Sequence, residues 1–292
     1  MRPAHPHQAR LRPLDPRSLR THSTRSLDRR RPSRVRPARL APLQPLPSLA
    51  RRRRSPHLHH ADTNGCAAAP TLAEAQFRAL LELVERDAVG IWWYNRLRRP
   101  EIPIHLLDHI PSVAAALPSL PTLQRSLHFL DVTTDLAVPA VVAVLARLDG
   151  SQPFFGAAAH PDPAIAVTKA LRESVQFMFW AQTEHAAPDV KAASIHRHPW
   201  LRPHGSAPVP APLPLKNVGD LVRHLARHHL NAYAVDMTRP EIGLPVARTI
   251  VPGLVHHWSR FAQRRLYEVP VRMGWLPNPL AESELNPWNC PL

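Results

Sequence analysis

Apolar positions between residues 71 and 95 recur with a helical period. Phe77, Leu80, Leu81, Val84 and Ile91 fall on one stripe, as expected of a long helix with one face on a core. Its start is marked twice. Asn64-Gly65 is a turn pair, and Thr71 followed three residues later by Glu74 has the spacing of a capping box. Two later stretches share one pattern: residues 127–133 with 138–144, and residues 232–238 with 244–251. Each reads as an apolar strand, Asp-x-Thr, a short loop, an apolar-Pro pair and a β-branched strand. The side chains of Asp131, Thr133, Asp236 and Thr238 can bond nearby backbone amides, which explains a turn without invoking chemistry. Between these units, Asp162-Pro163 is a helix start for residues 164–180. Residues 217–230 form a further amphipathic helix, while 100–122 and 181–215 read as connections. The expected fold is α/β (α+β), with a mixed sheet assembled from two related strand–loop–strand units flanked by helices.

Charge divides the chain in two. Residues 1–60 hold 16 Arg, no Lys, no Glu and two Asp, with ten Pro and six His; the rest holds 21 basic and 20 acidic side chains. With 16 Arg against two Asp, the tail therefore carries +14 of the net charge of +15. With no amphipathic period, that tail cannot bury enough apolar surface to offset its ordering entropy, and disorder is expected. Four readings stay open: a stretch read from a wrong frame or start, an organelle transit peptide, an anionic-membrane tether and a polyanion-binding arm. The expected division is a tail over 1–60 and one domain over 61–292. No apolar run reaches 18 residues, so no membrane span is expected. Two cysteines, Cys66 and Cys290, make no disulfide framework, and a cytoplasmic, reducing setting is expected.

The chemistry-bearing residues lie on the first helix. At about 100° per residue, Glu74 and Glu85 project within roughly 20° of each other and Glu82 lies about 60–80° away. A bound magnesium ion, sharing oxygen ligands with phosphates, is one way to hold three carboxylates beside a buried stripe. The plainer alternative is a solvated face with Glu74–Arg78 and Glu82–Arg86 ion pairs, each contributing roughly 0.2–0.5 kcal/mol. On the second helix, Lys169, Glu173 and Gln176 share a face by the same spacing. His224 and His228 also have metal-ligand spacing, but no third ligand joins them, and a surface role is expected. No P-loop, GxGxxG, GxSxG or HExxH motif occurs.

The segments Asn64-Gly65-Cys66-Ala67-Ala68, Thr71-Leu72-Ala73-Glu74-Ala75, Leu81 to Ala88 and Trp92-Trp93-Tyr94-Asn95-Arg96 resemble the YcaO family, and within it the cyclodehydratases of thiazole/oxazole-modified peptides. Residues 235–246 and Val251-Pro252-Gly253-Leu254 continue the resemblance, which spans about residues 62–287. It implies an ATP- and Mg2+-dependent enzyme in which a Cys, Ser or Thr side chain attacks a backbone carbonyl and ATP phosphorylates the amide oxygen, leaving an azoline. It also implies metal ligands at Glu74, Glu82 and Glu85, and nucleotide contacts at Arg86, Lys169, Glu173 and Gln176. A ribosomally made precursor peptide is the implied partner, joined in some relatives by a leader-peptide-binding protein or a flavin dehydrogenase; a homodimer stays open. No particular catalytic side chain is implied.

Four departures from the family pattern stand out. No glutamate precedes Glu74, where the family has an earlier Glu-rich half. Ala69 and Pro70 replace a commonly found Gly and polar residue, Lys169 replaces Arg, and the last prolines lack the family's spacing. The expectation is the C-terminal portion of a YcaO-like domain with impaired activity. A non-catalytic scaffold that binds a precursor peptide or partner protein is the alternative, and polyanion binding by the tail is a second. The polyanion reading predicts DNA affinity that falls steeply with salt and disappears when residues 1–60 are deleted, as a filter-binding series would register.

Overall fold

The computed structural model describes the backbone of residues 12–13 and all of residues 62–182, 198–259 and 261–290. The disorder expected for 1–60, and part of the 181–215 connection, fall outside those residues. Strand β1 (Arg12–Pro13) and β2 (Cys66–Ala68) precede helix α1 (Leu72–Tyr94) and a short helix α2 (Pro111–Ala116). Strands β3 (Arg125–Asp131), β4 (Ala140–Arg147) and β5 (Phe154–Ala159) lead to helix α3 (Pro163–Trp180). Helix α4 (Val218–Arg227), strands β6 (Tyr233–Asp236) and β7 (Val246–Ile250), and helix α5 (Arg264–Arg272) complete the order.

Both helix starts follow the sequence rules. Thr71 Oγ1 accepts from Glu74 N at 3.2 Å, and Asp162 Oδ1 accepts from Ala164 N at 2.8 Å. The two Asp-x-Thr units are built alike. Asp131 Oδ1 accepts from Thr133 N at 2.9 Å, and Thr133 Oγ1 accepts from Ala140 N at 3.1 Å. Asp236 and Thr238 repeat both bonds, to Thr238 N and Val246 N, at 2.9 and 3.1 Å. These side chains close a connection, as the turn reading requires.

The units occupy two sheets rather than one, ordered β3-β4-β5 and β1-β6-β7-β2, with every named strand pair antiparallel. The expected single mixed sheet is corrected in that respect. Loops 132–139 and 237–245 are too short for a parallel crossover, so each unit closes on itself as an antiparallel pair. Two elements carried too little sequence signal. Phe154–Ala159 is Gly- and Ala-rich, and α5 carries Pro270 inside it.

Strand β4 is apolar throughout because both its faces are covered. Val142, Val144 and Ala146 face the core around α1, while Val141, Ala143 and Leu145 face the core around α3. Helix α1 is thus enclosed between the two sheets, with α4 and α5 beside it. Residues Asp87 to Tyr94 on it are all buried. The C-terminal segment closes the end of α1: Asn286 N donates to Tyr94 O at 2.8 Å and Trp93 Nε1 to Trp288 O at 2.7 Å.

Enclosing α1 buries Asp87 completely, and the chain supplies its partners. Asp87 accepts from Val255 N at 2.8 Å and from Arg265 Nε and Nη2 at 3.0 and 2.6 Å. Arg265 also bonds Asp135, which Arg272 joins at 2.7 Å. Burial opposes the Arg265 charge, but Asp87 and Asp135 outweigh it and raise its pKa. Truncating one partner leaves a buried charge, so Asp87→Ala should cost about 3–5 kcal/mol in urea denaturation; a loss below ~1 kcal/mol would contradict this role.

Candidate functional site

A carboxylate cluster forms where α1 and α3 approach each other across the edge of β5. Gly156 makes the approach: a Cβ there would lie 2.4 Å from both Ala170 O and Ser174 N on α3. Over that contact Glu173 reaches β5, where its Oε2 accepts from Ala157 N at 2.7 Å. The Asn64-Gly65 turn serves the other side. Gly65 has φ +72, its carbonyl accepts from Thr249 N at 2.7 Å, and its backbone N–H favours the charged form of the Glu82 carboxyl.

Glu82, Glu85 and Arg86 stand together on α1, with side chains 22, 17 and 15% exposed. Arg86 Nε lies 3.9 Å from Glu82 Oε1 and 3.8 Å from Glu85 Oε1, beyond hydrogen-bond reach. Arg86 Nε and Nη1 are buried without a hydrogen-bond partner among the described residues. Desolvation raises the Glu85 pKa to about 8; Arg86 and Lys169 oppose the rise, while Glu173 and Glu82 add to it. Desolvation also raises the pKa of Glu82 and Glu173 and lowers that of Lys169. One region therefore holds three carboxylates and two cations, with burial working against the charges of the three carboxylates and Lys169.

The structure brings together five of the seven residues singled out by sequence: Glu82, Glu85, Arg86, Lys169 and Glu173. Glu74 is not among them. It sits in the exposed first turn, ion-paired with Arg78, whose charge in turn is felt at Lys169. Gln176 lies exposed beyond Glu173. Sequence reading missed Asp62 and Arg248, which meet at 3.0 Å beside Cys66. Burial raises the Cys66 thiol pKa, with Glu82 and Asp62 adding to the rise and Arg248 opposing it. The one signal that could have found this pair was strand register, since Arg248 lies directly across from Cys66. Ala69, one of the departures, is buried beside Ala75 and Ala247. His224 Nε2 meets Leu136 O at 2.6 Å, consistent with a structural histidine.

Among the described residues no three His, Cys, Asp or Glu side chains converge closely enough to hold a metal unaided. The donor set nevertheless fits magnesium shared with a phosphate chain, because that ion takes one or two carboxylates and completes its shell with phosphate and water. The orphaned N–H groups of Arg86 fit an anionic guest, since a buried unsatisfied donor is costly.

The chain matches the family model described as YcaO cyclodehydratase, ATP- and Mg2+-binding, over residues 3–255. It is similar to a heterocyclase solved in complex with substrate and cofactor, with 35% identity and a TM-score of 0.73 over 80% of this chain and 34% of that one. The YcaO protein of Methanopyrus kandleri bound with AMPPCP and Mg2+ is 27% identical, with a TM-score of 0.56, over 68% of this chain and 58% of its own. An uncharacterised protein of Methanothermobacter thermautotrophicus is 28% identical over 218 residues, 68% of this chain and 56% of its own length. The chain thus spans about half the length of that relative and about a third of the heterocyclase.

Glu85 sets a pH dependence with a definite sign. Its folded pKa of about 8 lies above the model-peptide value near 4.3, so the folded state favours the protonated form. Its contribution to stability is complete below pH ~4 and is lost as pH rises through about 8. Relative to Glu85→Gln, the ligand-free protein should lose at least ~2 kcal/mol between pH 5 and 8 in urea titrations. Parallel pH profiles for the two proteins would remove Glu85 as the cause.

Proposed function

The chain belongs to the YcaO family, and we propose that the charged edges of α1 and α3 beside β5 form one wall of a magnesium–ATP site for cyclodehydration of a ribosomally made peptide. The observation that carries this reading is the Glu82–Glu85–Arg86 face, desolvated yet left without hydrogen bonds to the Arg86 Nε and Nη1 groups. Glu82 and Glu85 would hold the metal, and Arg86 and Lys169 the phosphates. Lys169 would act as a point charge, without the two-pronged geometry of arginine. Glu173 would keep β5 and α3 in register, because its carboxylate already holds the Ala157 N–H. Glu74 would join only by leaving Arg78, and Gln176 from the exposed turn beyond Glu173.

The chemistry required of such a site is activation of a poor leaving group. A thiol or hydroxyl of Cys, Ser or Thr attacks the preceding backbone carbonyl and gives up its proton. Bound Mg-ATP would supply a phosphoryl group to the resulting amide oxygen. That oxygen then departs as phosphate, the nitrogen loses its proton, and a C=N bond completes the azoline. The chain's residues contribute fixed positive charge beside the phosphates and a site of low polarity in which that charge acts strongly. Precursor peptide, leader-binding protein and flavin dehydrogenase belong to this reading as partners, and a cytoplasmic setting as location. Among the described residues no helix is long and apolar enough to cross a membrane.

Isothermal titration of the full chain with Mg-ATP tests the reading. Binding should release a proton from Glu85, so affinity should rise with pH, by up to ~tenfold per unit below pH ~8. Glu82→Gln and Arg86→Gln should each weaken binding at least ~tenfold. Absence of heat with the intact chain, or affinities unchanged in both variants, would defeat the proposal.

A further inference from the structure

A second charged site lies at the other end of the β3–β4 ladder. Arg125 and Arg147 are direct cross-strand partners, five residues along β4 from Val142, the partner of Ala157. That places them on the order of 17 Å from the carboxylate cluster. Like charges directly opposite each other destabilise a ladder. The chain answers this pair with a neutral group. Gln152, held at φ +47 in the β4–β5 connection, offers its carbonyl to Arg125 Nη1 at 3.2 Å and its Oε1 to Arg147 Nε at 3.0 Å. The Arg125 guanidinium carbon also sits 5.1 Å from the centre of the Phe154 ring.

Among the described residues neither arginine has a carboxylate within 4 Å. The nearby acid, Asp149, is exposed and bonds Ser151 N at 2.8 Å, exerting only a longer-range pull on Arg147. Arg125 is 9% exposed, and burial together with the Arg147 charge lowers its pKa. Both arginines border a cleft of about 370 Å3 whose other walls are Gln152, Phe154, Met178, Ala181 and Gln182. Small-ligand sites fall in this size range, and guanidinium forks match the planar oxygens of a carboxylate. Phe154, Met178 and Ala181 give the cleft an apolar wall beside the charge, which suits an anion carried on an apolar chain better than a hydrated inorganic ion.

We propose that the Arg125–Arg147 cleft binds an acidic side chain of a peptide, with the peptide's neighbouring apolar residue against Phe154 and Met178. The choice of a peptide rests on the peptide-modifying reading above. In extended form, roughly five residues span the distance from this cleft to the carboxylate cluster. One peptide can thus be held here while a residue further along reaches the cluster.

The test is isothermal titration of the full chain at low salt with acetyl-Leu-Glu-Leu-Glu-amide, its Gln counterpart, and inorganic phosphate. The acidic peptide should bind at least ~tenfold more tightly than either of the others, with affinity falling as salt rises. Arg147→Gln should remove at least ~tenfold of that affinity while leaving Mg-ATP binding unchanged. Arg125→Gln should do the same where circular dichroism shows it folded; Arg147→Gln, on the more exposed partner, carries the test if it is not. Equal binding of the two peptides, phosphate binding as tight as the acidic peptide, or an unaffected Arg147→Gln would each overturn the proposal. Glu82→Gln separates the two readings, since it should weaken Mg-ATP binding at least ~tenfold and leave the acidic peptide bound as before.

Discussion

The desolvation of charge on α1 is the constraint on which the rest of the structure depends. A 23-residue helix enclosed between two sheets cannot present Glu82, Glu85, Arg86 and Asp87 in succession without burying several of them. Burial raises the pKa of both Asp87 and Glu85, but the chain partners the two carboxylates differently. Asp87 receives a backbone N–H and two bonds from Arg265, itself fixed by Asp135. Glu85, two residues earlier, has Arg86 at 3.8 Å, without a hydrogen bond to it, and a pKa pushed up to about 8. The first is a satisfied structural pair. The second is a buried carboxyl whose charged form the chain's own cations do not stabilise enough, the condition in which perturbed groups mark functional sites.

Enclosure of α1 follows from the two Asp-x-Thr units. Each folds as an antiparallel pair with an apolar face turned toward the helix, and each is closed by the same two side-chain bonds. The β3-β4-β5 sheet has a second helix, α3, on its other face, which brings Lys169 and Glu173 to the edge of β5. Gly156 lets α3 approach closely enough for Glu173 to bond the strand. The site is thus a consequence of layering: helix, sheet, helix, sheet, with charge collected where two helices pass one strand edge.

What was legible in sequence was local. Capping residues placed α1 and α3, helical spacing put Glu82 near Glu85 and Lys169 beside Glu173, and Arg86 entered through the family resemblance. Glu74 and Gln176 share those faces at shallower depth, where each face emerges into solvent. Strand β5 was missed because alanine and glycine carry little strand signal, and α5 because proline interrupts its pattern. The Asp62–Arg248 pair joins residues 186 positions apart, and Asp87–Arg265 joins residues 178 apart. No local period encodes such pairs. The division of the β-strands into two sheets was hidden for the same reason, since pattern fixes which residues pair locally but not which faces share a helix.

On the proposed reading, Glu85 stays without a matched cation until magnesium binds. Carbon-13 NMR titration of the Glu85 carboxyl, without ligand and with saturating magnesium and a non-hydrolysable ATP analogue, tests it most directly. The account predicts a midpoint near 8 in the free protein, falling by at least ~2 pH units when the ligands are bound. A midpoint in the ordinary glutamate range near 4.3 in the free protein, or one near 8 that the ligands do not move, would contradict it.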